Sequence, residues 1–218
     1  GLCLASVDLW NSEGYLSSDS NSCKHFGKGA TASVFHALYT GKGNERVAMK
    51  VFNKEHFPFR ENELLATLTS DESQGCSVQY IGHAMVLRQP VIFMKEYDKS
   101  LTEYLHRLPS SRESKFEQLL RVATTILTNL FITRTMGLVH RDVKEDNFLV
   151  ESDGPHKIKQ VVVADLGGSK VATEANQDFN KTISTTPGYS TFLLDRKDDD
   201  LYSVGCIFTG FFQQTYKS

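Results

Sequence analysis

The sequence has little that would tie it to a membrane, a nucleic acid or a structural metal. Spanning a bilayer takes about 20 consecutive apolar residues. The most apolar stretch, 201–212, is shorter than that and carries Tyr202, Ser203 and Thr209. The 24 basic and 26 acidic side chains leave a net charge of −2. No basic field is therefore available for nucleic acid or an anionic membrane, and neither is expected as a partner. The four cysteines (Cys3, Cys23, Cys76, Cys206) form no C-x-x-C pair. Reduced thiols in an intracellular, cytoplasmic protein are expected, rather than a disulfide framework or a zinc site. The seven histidines are dispersed and form no H-E-x-x-H. No charged segment precedes an apolar core at the N-terminus, so no secretory signal is expected. Ala5 stands where an N-myristoylation motif needs Ser or Thr.

What is present is enough for a real core: 218 residues, 40% hydrophobic and 23% charged, fit one large domain or two lobes. Residues 1–24 are rich in Ser, Asn and Gly after Trp10 and read as a flexible lead-in. Gly27-Lys28-Gly29-Ala30-Thr31-Ala32 follows. By itself G-x-G-x-x-A also fits a dinucleotide-binding turn, which must open a helix. Here residues 33–39 and 47–52 are both β-rich and flank a turn at 41–44. A hairpin-type sheet is the expectation, with the glycines letting backbone N–H groups approach phosphate oxygens. A helix is predicted over 57–68, with Pro58 in its first turn. Glu61 shares the face of Leu64, Leu65 and Leu68, and a carboxylate on an apolar stripe needs a partner.

Strands are predicted over 78–87 and 90–94. Ser114-Lys115-Phe116-Glu117 reads as a capping box. It would open a long amphipathic helix ending at Gly137, with Phe116, Leu119, Leu120, Ala123, Leu127, Leu130 and Phe131 on its core face. The chain then delivers a polar cluster, His140-Arg141-Asp142-Val143-Lys144-Glu145-Asp146-Asn147, ahead of a short strand at 148–150. Such a loop suits proton and metal chemistry better than packing. After a turn at 152–155, the apolar strand 161–164 ends in Asp165-Leu166-Gly167. A polar stretch, 168–185, contains Thr173, Thr182, Ser184 and Thr185. Asp200 opens a final segment with Leu201, Val204, Gly205 and Phe208 at helical spacing.

Several of these stretches, in this order, resemble the motifs of eukaryotic-type protein kinases. His140–Asn147 resembles the catalytic loop H-R-D-L-x-x-x-N, with Val143 for Leu. The glycine loop resembles G-x-G-x-x-G-x-V, with Ala32 for the third Gly and Val34 as the Val. Val47-Ala48-Met49-Lys50 resembles V-A-I-K, and Asp165-Leu166-Gly167 resembles D-F-G. Thr186-Pro187-Gly188-Tyr189 resembles the T-P-x-Y ahead of A-P-E, but Thr191, Phe192 and Leu193 occupy the A-P-E positions, so that motif's Glu is absent. Asp200–Gly205 resembles D-V-W-S-x-G. The resemblance runs from residue 26 to 218. It implies an α+β, two-lobed protein-kinase-like fold: a small antiparallel-sheet N-lobe with one helix over 25–97 and a mostly helical, incomplete C-lobe over 98–218. The start at Gly1 and the end at Ser218 suggest a fragment.

The same resemblance implies a Ser/Thr protein kinase that transfers the γ-phosphoryl of Mg-ATP to a protein hydroxyl. Lys50 would reach the α- and β-phosphates and pair with Glu61, with Glu63 the alternative. Asp142 would accept or orient the substrate hydroxyl proton and Lys144 would neutralise the γ-phosphate. Asn147 and Asp165 would hold magnesium. Gly27, Gly29, Ala32, Val34 and Ala48 would surround the nucleotide. Met94 would be the gatekeeper, with the Lys95 carbonyl and the Tyr97 N–H facing adenine. Residues 168–185 would form an activation segment, phosphorylated by another kinase or by the protein itself, with Arg141 near the bound phosphate. An ATP-binding pseudokinase or scaffold is the alternative, because the A-P-E Glu is missing. A Rossmann oxidoreductase comes third.

Overall fold

The computed structural model describes residues 7–8, 15–17, 25–28, 32–39, 45–53, 59–70, 75–86, 89–108, 111–154, 157–171 and 199–217. Gly29, Pro58, Thr173, Thr182, Ser184, Thr185, the stretch 186–189 and the A-P-E positions 191–193 lie outside the described residues. The chain divides into two compact units: Gly1–Asp71 with Val78–Glu96, and Glu72–Ser77 with Tyr97–Ser218.

Among the described residues the first unit is a seven-stranded sheet with one helix. Strands β1 (Val7–Asp8), β2 (Tyr15–Ser17), β4 (Ala32–Tyr39), β5 (Glu45–Phe52), β7 (Gln89–Lys95) and β6 (Tyr80–Val86) neighbour one another in that order, and β3 (His25–Lys28) pairs with β4. Every strand pair is antiparallel. That excludes the Rossmann reading, whose βαβ unit needs parallel strands. Two short strands arise inside the expected flexible lead-in, because β2 finds the free end of β4 through Leu16↔Tyr39 and Ser17↔Leu38. Side chains alternate across a strand, so the sheet has two distinct faces. One face collects Phe35, Ala37, Val47, Met49, Val51, Ala84, Val91 and Phe93 in a buried cluster. Helix α1 (Phe59–Ser70) buries Glu61, Leu64, Leu65 and Leu68, the face expected from their spacing.

In the second unit β8 (Lys99–Ser100) runs into α2 (Leu101–His106), which the Ser100 side chain caps by accepting from Glu103 N at 3.1 Å. The 24-residue α3 (Arg112–Thr135) follows, then β9 (Leu138–Val139), a 3-10 turn at Glu145–Asn147, and β10 (Phe148–Ser152). After it come β11 (Ile158–Val163), β12 (Lys170–Val171) and α4 (Asp199–Lys217). Helix α3 packs against β11, β9 and α4. Gly137, at φ 79°, follows α3 in the left-handed conformation that glycine tolerates at a helix C-terminus.

Two expectations for α3 are corrected. Lys115 N already donates to Ser111 O at 2.9 Å, so the helix is under way before Ser114, and Ser114–Glu117 is not a capping box. The buried face is Leu119, Val122, Ile126 and Leu130, joined by Asn129 and Thr133. Phe116, Leu120, Leu127 and Phe131 are exposed by 42–68%. The helix is apolar around much of its circumference, so spacing alone admitted either face. Similarly Val204, Ile207 and Phe208 of α4 are buried, whereas Leu201 is half exposed.

The face assignment makes a direct prediction. Ile126→Ala should destabilise the chain by about 2–4 kcal/mol in urea unfolding. Phe131→Ser should change it by less than about 0.5 kcal/mol. The reverse order would restore the face expected from the sequence.

Candidate active site

The first unit brings four candidate nucleotide-binding residues onto one surface. Directly opposed residues of antiparallel strands share a face. The register pairs Val34 with Lys50 and His36 with Ala48 across β4 and β5, then Lys50 with Ile92 and Ala48 with Met94 across β5 and β7. Val34, Ala48, Lys50 and Met94 therefore lie on the sheet face opposite the buried cluster. Gly27 stands beside Val34 in the β3–β4 pairing, at the edge of the same region, and Ala32 is buried at the start of β4. Lys95 closes β7, and its N–H donates to Gln79 O at 2.9 Å.

Lys50 is buried among apolar neighbours and carries a charge. Its Nζ meets Glu61 Oε1 at 2.5 Å, with side-chain exposures of 9% and 4%. The ammonium also lies 5.2 Å from the Phe52 ring centroid, within cation–π range. Glu63, the other carboxylate considered for this lysine, is exposed.

The second unit holds the polar cluster. Asp200, in the first turn of α4, accepts from two successive backbone N–H groups, His140 to Oδ2 and Arg141 to Oδ1, each at 2.8 Å. Arg141 takes φ 71°, the only positive φ on a non-glycine residue among those described. The left-handed conformation is disfavoured for a side-chain-bearing residue. Two hydrogen bonds to an ionised acceptor are strong enough to hold it. The bend presents Asp142, whose Oδ2 receives Lys144 Nζ at 2.8 Å and Asn147 Nδ2 at 2.9 Å. Asn147 Nδ2 also donates to the Asp142 carbonyl at 2.7 Å. Ala164 N donates to Asn147 O at 2.9 Å, which ties the end of β11 to the loop just before Asp165. Asp165 Oδ1 accepts from Gly167 N at 3.0 Å and closes the turn after the strand.

Val143 and Leu166, where the loop and the D-L-G depart from the family's residues, are each 1% exposed. Both positions take part in packing, where one aliphatic side chain can stand in for another apolar one. His140 is buried, and burial lowers its pKa below the ordinary imidazole value, although Asp200, Asp165 and Asp142 pull it up. Among the described residues no group of three or more His, Cys, Asp or Glu could hold a metal. Magnesium does not need such a group: one or two carboxylates, substrate phosphates and water complete its shell. Asn147 spends its N–H donors on Asp142 and keeps an oxygen, and Asp165 supplies a carboxylate, so the donor set suits a hard cation.

Asp200 is the residue whose role the sequence did not disclose. It ends an acidic run, Asp198-Asp199-Asp200, and the resemblance to D-V-W-S-x-G singles it out without saying which groups it binds. The available signal was its place at the opening of an apolar helix.

An antiparallel sheet with one helix, a mostly helical second unit and a pinned His-Arg-Asp loop define a protein kinase fold. The family profile for the protein kinase domain matches residues 20–216, and the chain belongs to that family. It is 24% identical over 195 residues to PknB of Lactococcus lactis, a probable serine/threonine-protein kinase, covering 84% of this chain and 30% of the relative. It is 29% identical over 188 residues to the serine/threonine-protein kinase pakC of Dictyostelium discoideum, covering 82% and 37%. The chain thus spans about a third of the length of these curated relatives. Among solved structures, vaccinia related kinase 3 superposes with a TM-score of 0.72 at 15% identity, over 97% of this chain and 68% of that one. No helix among the described residues is long and apolar enough to cross a membrane.

Removing the Asp200 carboxylate should loosen the loop. In Asp200→Ala the amides of His140 and Arg141 should exchange with solvent faster, their opening free energy falling by about 1–3 kcal/mol. Unchanged exchange at both would mean that the loop is held by something else.

Proposed function

We propose that this chain is the nucleotide-binding and phosphotransfer part of a serine/threonine protein kinase, acting on a protein hydroxyl with Mg-ATP. The observation that carries the reading is the Asp142 carboxylate, held at one oxygen by Lys144 and Asn147 in a loop whose backbone Asp200 pins. Residues 25–97 and 98–218 would be the two lobes, preceded by a lead-in over 1–24. Support also comes from relatives that carry the serine/threonine-protein kinase name.

The roles follow from charge and position. Asp142 accepts the proton of the substrate hydroxyl or orients it for attack on the γ-phosphorus. Lys144, already against Asp142, offsets charge on the transferring group. Lys50 binds the α- and β-phosphates, and Glu61 keeps its ammonium from turning to solvent. Gly27, Gly29, Ala32, Val34, Ala48 and Met94 enclose the nucleotide, and the Lys95 carbonyl and Tyr97 N–H read the adenine edge. Asn147 and Asp165 would hold magnesium, which when bound neutralises phosphate charge. Catalysis of this kind is positioning and charge stabilisation, with little covalent work for the protein. Another kinase, or the protein itself, would phosphorylate the segment containing Thr173, Thr182, Ser184 and Thr185.

Transfer of labelled γ-phosphate to a mixed Ser/Thr peptide library is the test. Asp142→Asn should reduce transfer by about 10²–10⁴-fold, the usual worth of a positioned proton acceptor. It should leave ADP affinity within about twofold. Transfer undiminished in Asp142→Asn overturns the assignment. Tight ADP binding by the wild type with no transfer would favour the pseudokinase reading, for which the substituted A-P-E positions Thr191, Phe192 and Leu193 are the motive.

A further inference from the structure

The sheet face that carries Val34, Ala48, Lys50 and Met94 continues past them into a polar cluster that no motif accounts for. His36 stands opposite Ala48 on β4, Arg46 lies two residues before Ala48 on β5, and Glu96 lies two residues after Met94. Their side chains meet. His36 Nδ1 is 2.9 Å from Glu96 Oε2, and Arg46 Nε is 3.5 Å from Oε1. The two contacts are unequal. His36 and Glu96 are 25% and 16% exposed, whereas Arg46 is 67% exposed and its pair is largely screened by water. The imidazole is therefore the main anchor.

Glu96 occupies a particular place in the backbone. It is the last residue of the first unit, between Lys95 and Tyr97. A peptide group is planar, so the Lys95 carbonyl belongs to the rigid plate that ends at the Glu96 Cα. The Tyr97 N–H belongs to the plate that begins there. Only φ and ψ of Glu96 separate the acceptor from the donor. A glutamate at the end of a strand would ordinarily turn its side chain to solvent. Here the side chain is drawn back onto the sheet, and Lys95 N is fixed separately to Gln79 O.

We propose that His36, assisted by Arg46, holds Glu96 as a positioning residue that sets the directions of the Lys95 carbonyl and the Tyr97 N–H, and so tunes affinity for the adenine ring. The inference rests on the kinase reading above. It makes His36 and Glu96 determinants of base recognition, not of phosphate binding or transfer. A cluster that merely stabilised the sheet would lower the melting temperature and weaken all ligands alike.

Those two roles separate in binding measurements with Mg-ADP and with magnesium tripolyphosphate, which lacks the base. Glu96→Ala and His36→Leu should weaken ADP about five- to tenfold, the scale of one lost charge-assisted hydrogen bond. Tripolyphosphate affinity should change by less than about twofold, because no phosphate contact is altered. In turnover, KM for ATP should rise while kcat stays. His36→Lys, which puts an ammonium donor in place of the imidazole, should recover part of the ADP affinity and guards against a loss that is only misfolding. Equal weakening of both ligands, or unchanged ADP affinity in a wild type that binds it, overturns this proposal alone. A wild type that binds tripolyphosphate and ADP with the same affinity, or binds neither, overturns it together with the kinase reading.

Discussion

The loop from His140 to Asn147 depends on one carboxylate. Asp200 takes the two adjacent N–H groups of His140 and Arg141, and that double contact stabilises a backbone bend that Arg141 would not adopt unaided. The strain of a left-handed residue is of order 1–2 kcal/mol. Two charge-assisted hydrogen bonds are each about as large, so the bend persists. Past the bend, Asp142 turns to Lys144 and Asn147, and the end of β11 is drawn to Asn147 by Ala164 N. The pairing of β9 with β12 and the Ser169 hydroxyl on the His140 carbonyl close the other side. A residue 58 positions beyond Asp142 thus fixes the backbone that carries Asp142.

In the first unit the governing constraint is a charge inside an apolar layer. Lys50 and Glu61 are both nearly buried. Such a pair contributes little net stability, because desolvation offsets most of the attraction. Removing either partner alone strands the other charge and costs about 3–5 kcal/mol. The pair's value is in placement: it fixes an ammonium on the sheet face that also bears Val34, Ala48 and Met94. The opposite face is aliphatic and aromatic and needs no such device.

Much of this was legible in the sequence because its signals are local. β-rich composition marked β4 and β5, and the Leu64, Leu65 and Leu68 spacing marked the buried side of α1. Motif order marked the loop and the strand ending at Asp165. Where legibility failed, the deciding contact was distant or the local signal was degenerate. The α3 face could not be chosen from a helix that is apolar on most sides. Ser114 looked like a cap because the Ser-x-x-Glu spacing says nothing about where the helix begins. The strand at Tyr15–Ser17 exists through pairing with β4 and the one at Val7–Asp8 through pairing with Tyr15–Ser17, and Glu96 finds His36 across 60 residues. Asp200 was visible as the opening of a motif, but its partners lie 59 and 60 residues away.

The proposed function requires that Asn147 and Asp165 hold magnesium on the bound nucleotide. Calorimetric titration of ADP, with magnesium and with a chelator, on the wild type and on Asp165→Asn tests it most directly. Magnesium should tighten ADP binding at least about tenfold in the wild type, the scale of a gained ionic ligand, and Asp165→Asn should remove most of that gain. ADP binding of equal strength with and without magnesium, the same in both proteins, would contradict it.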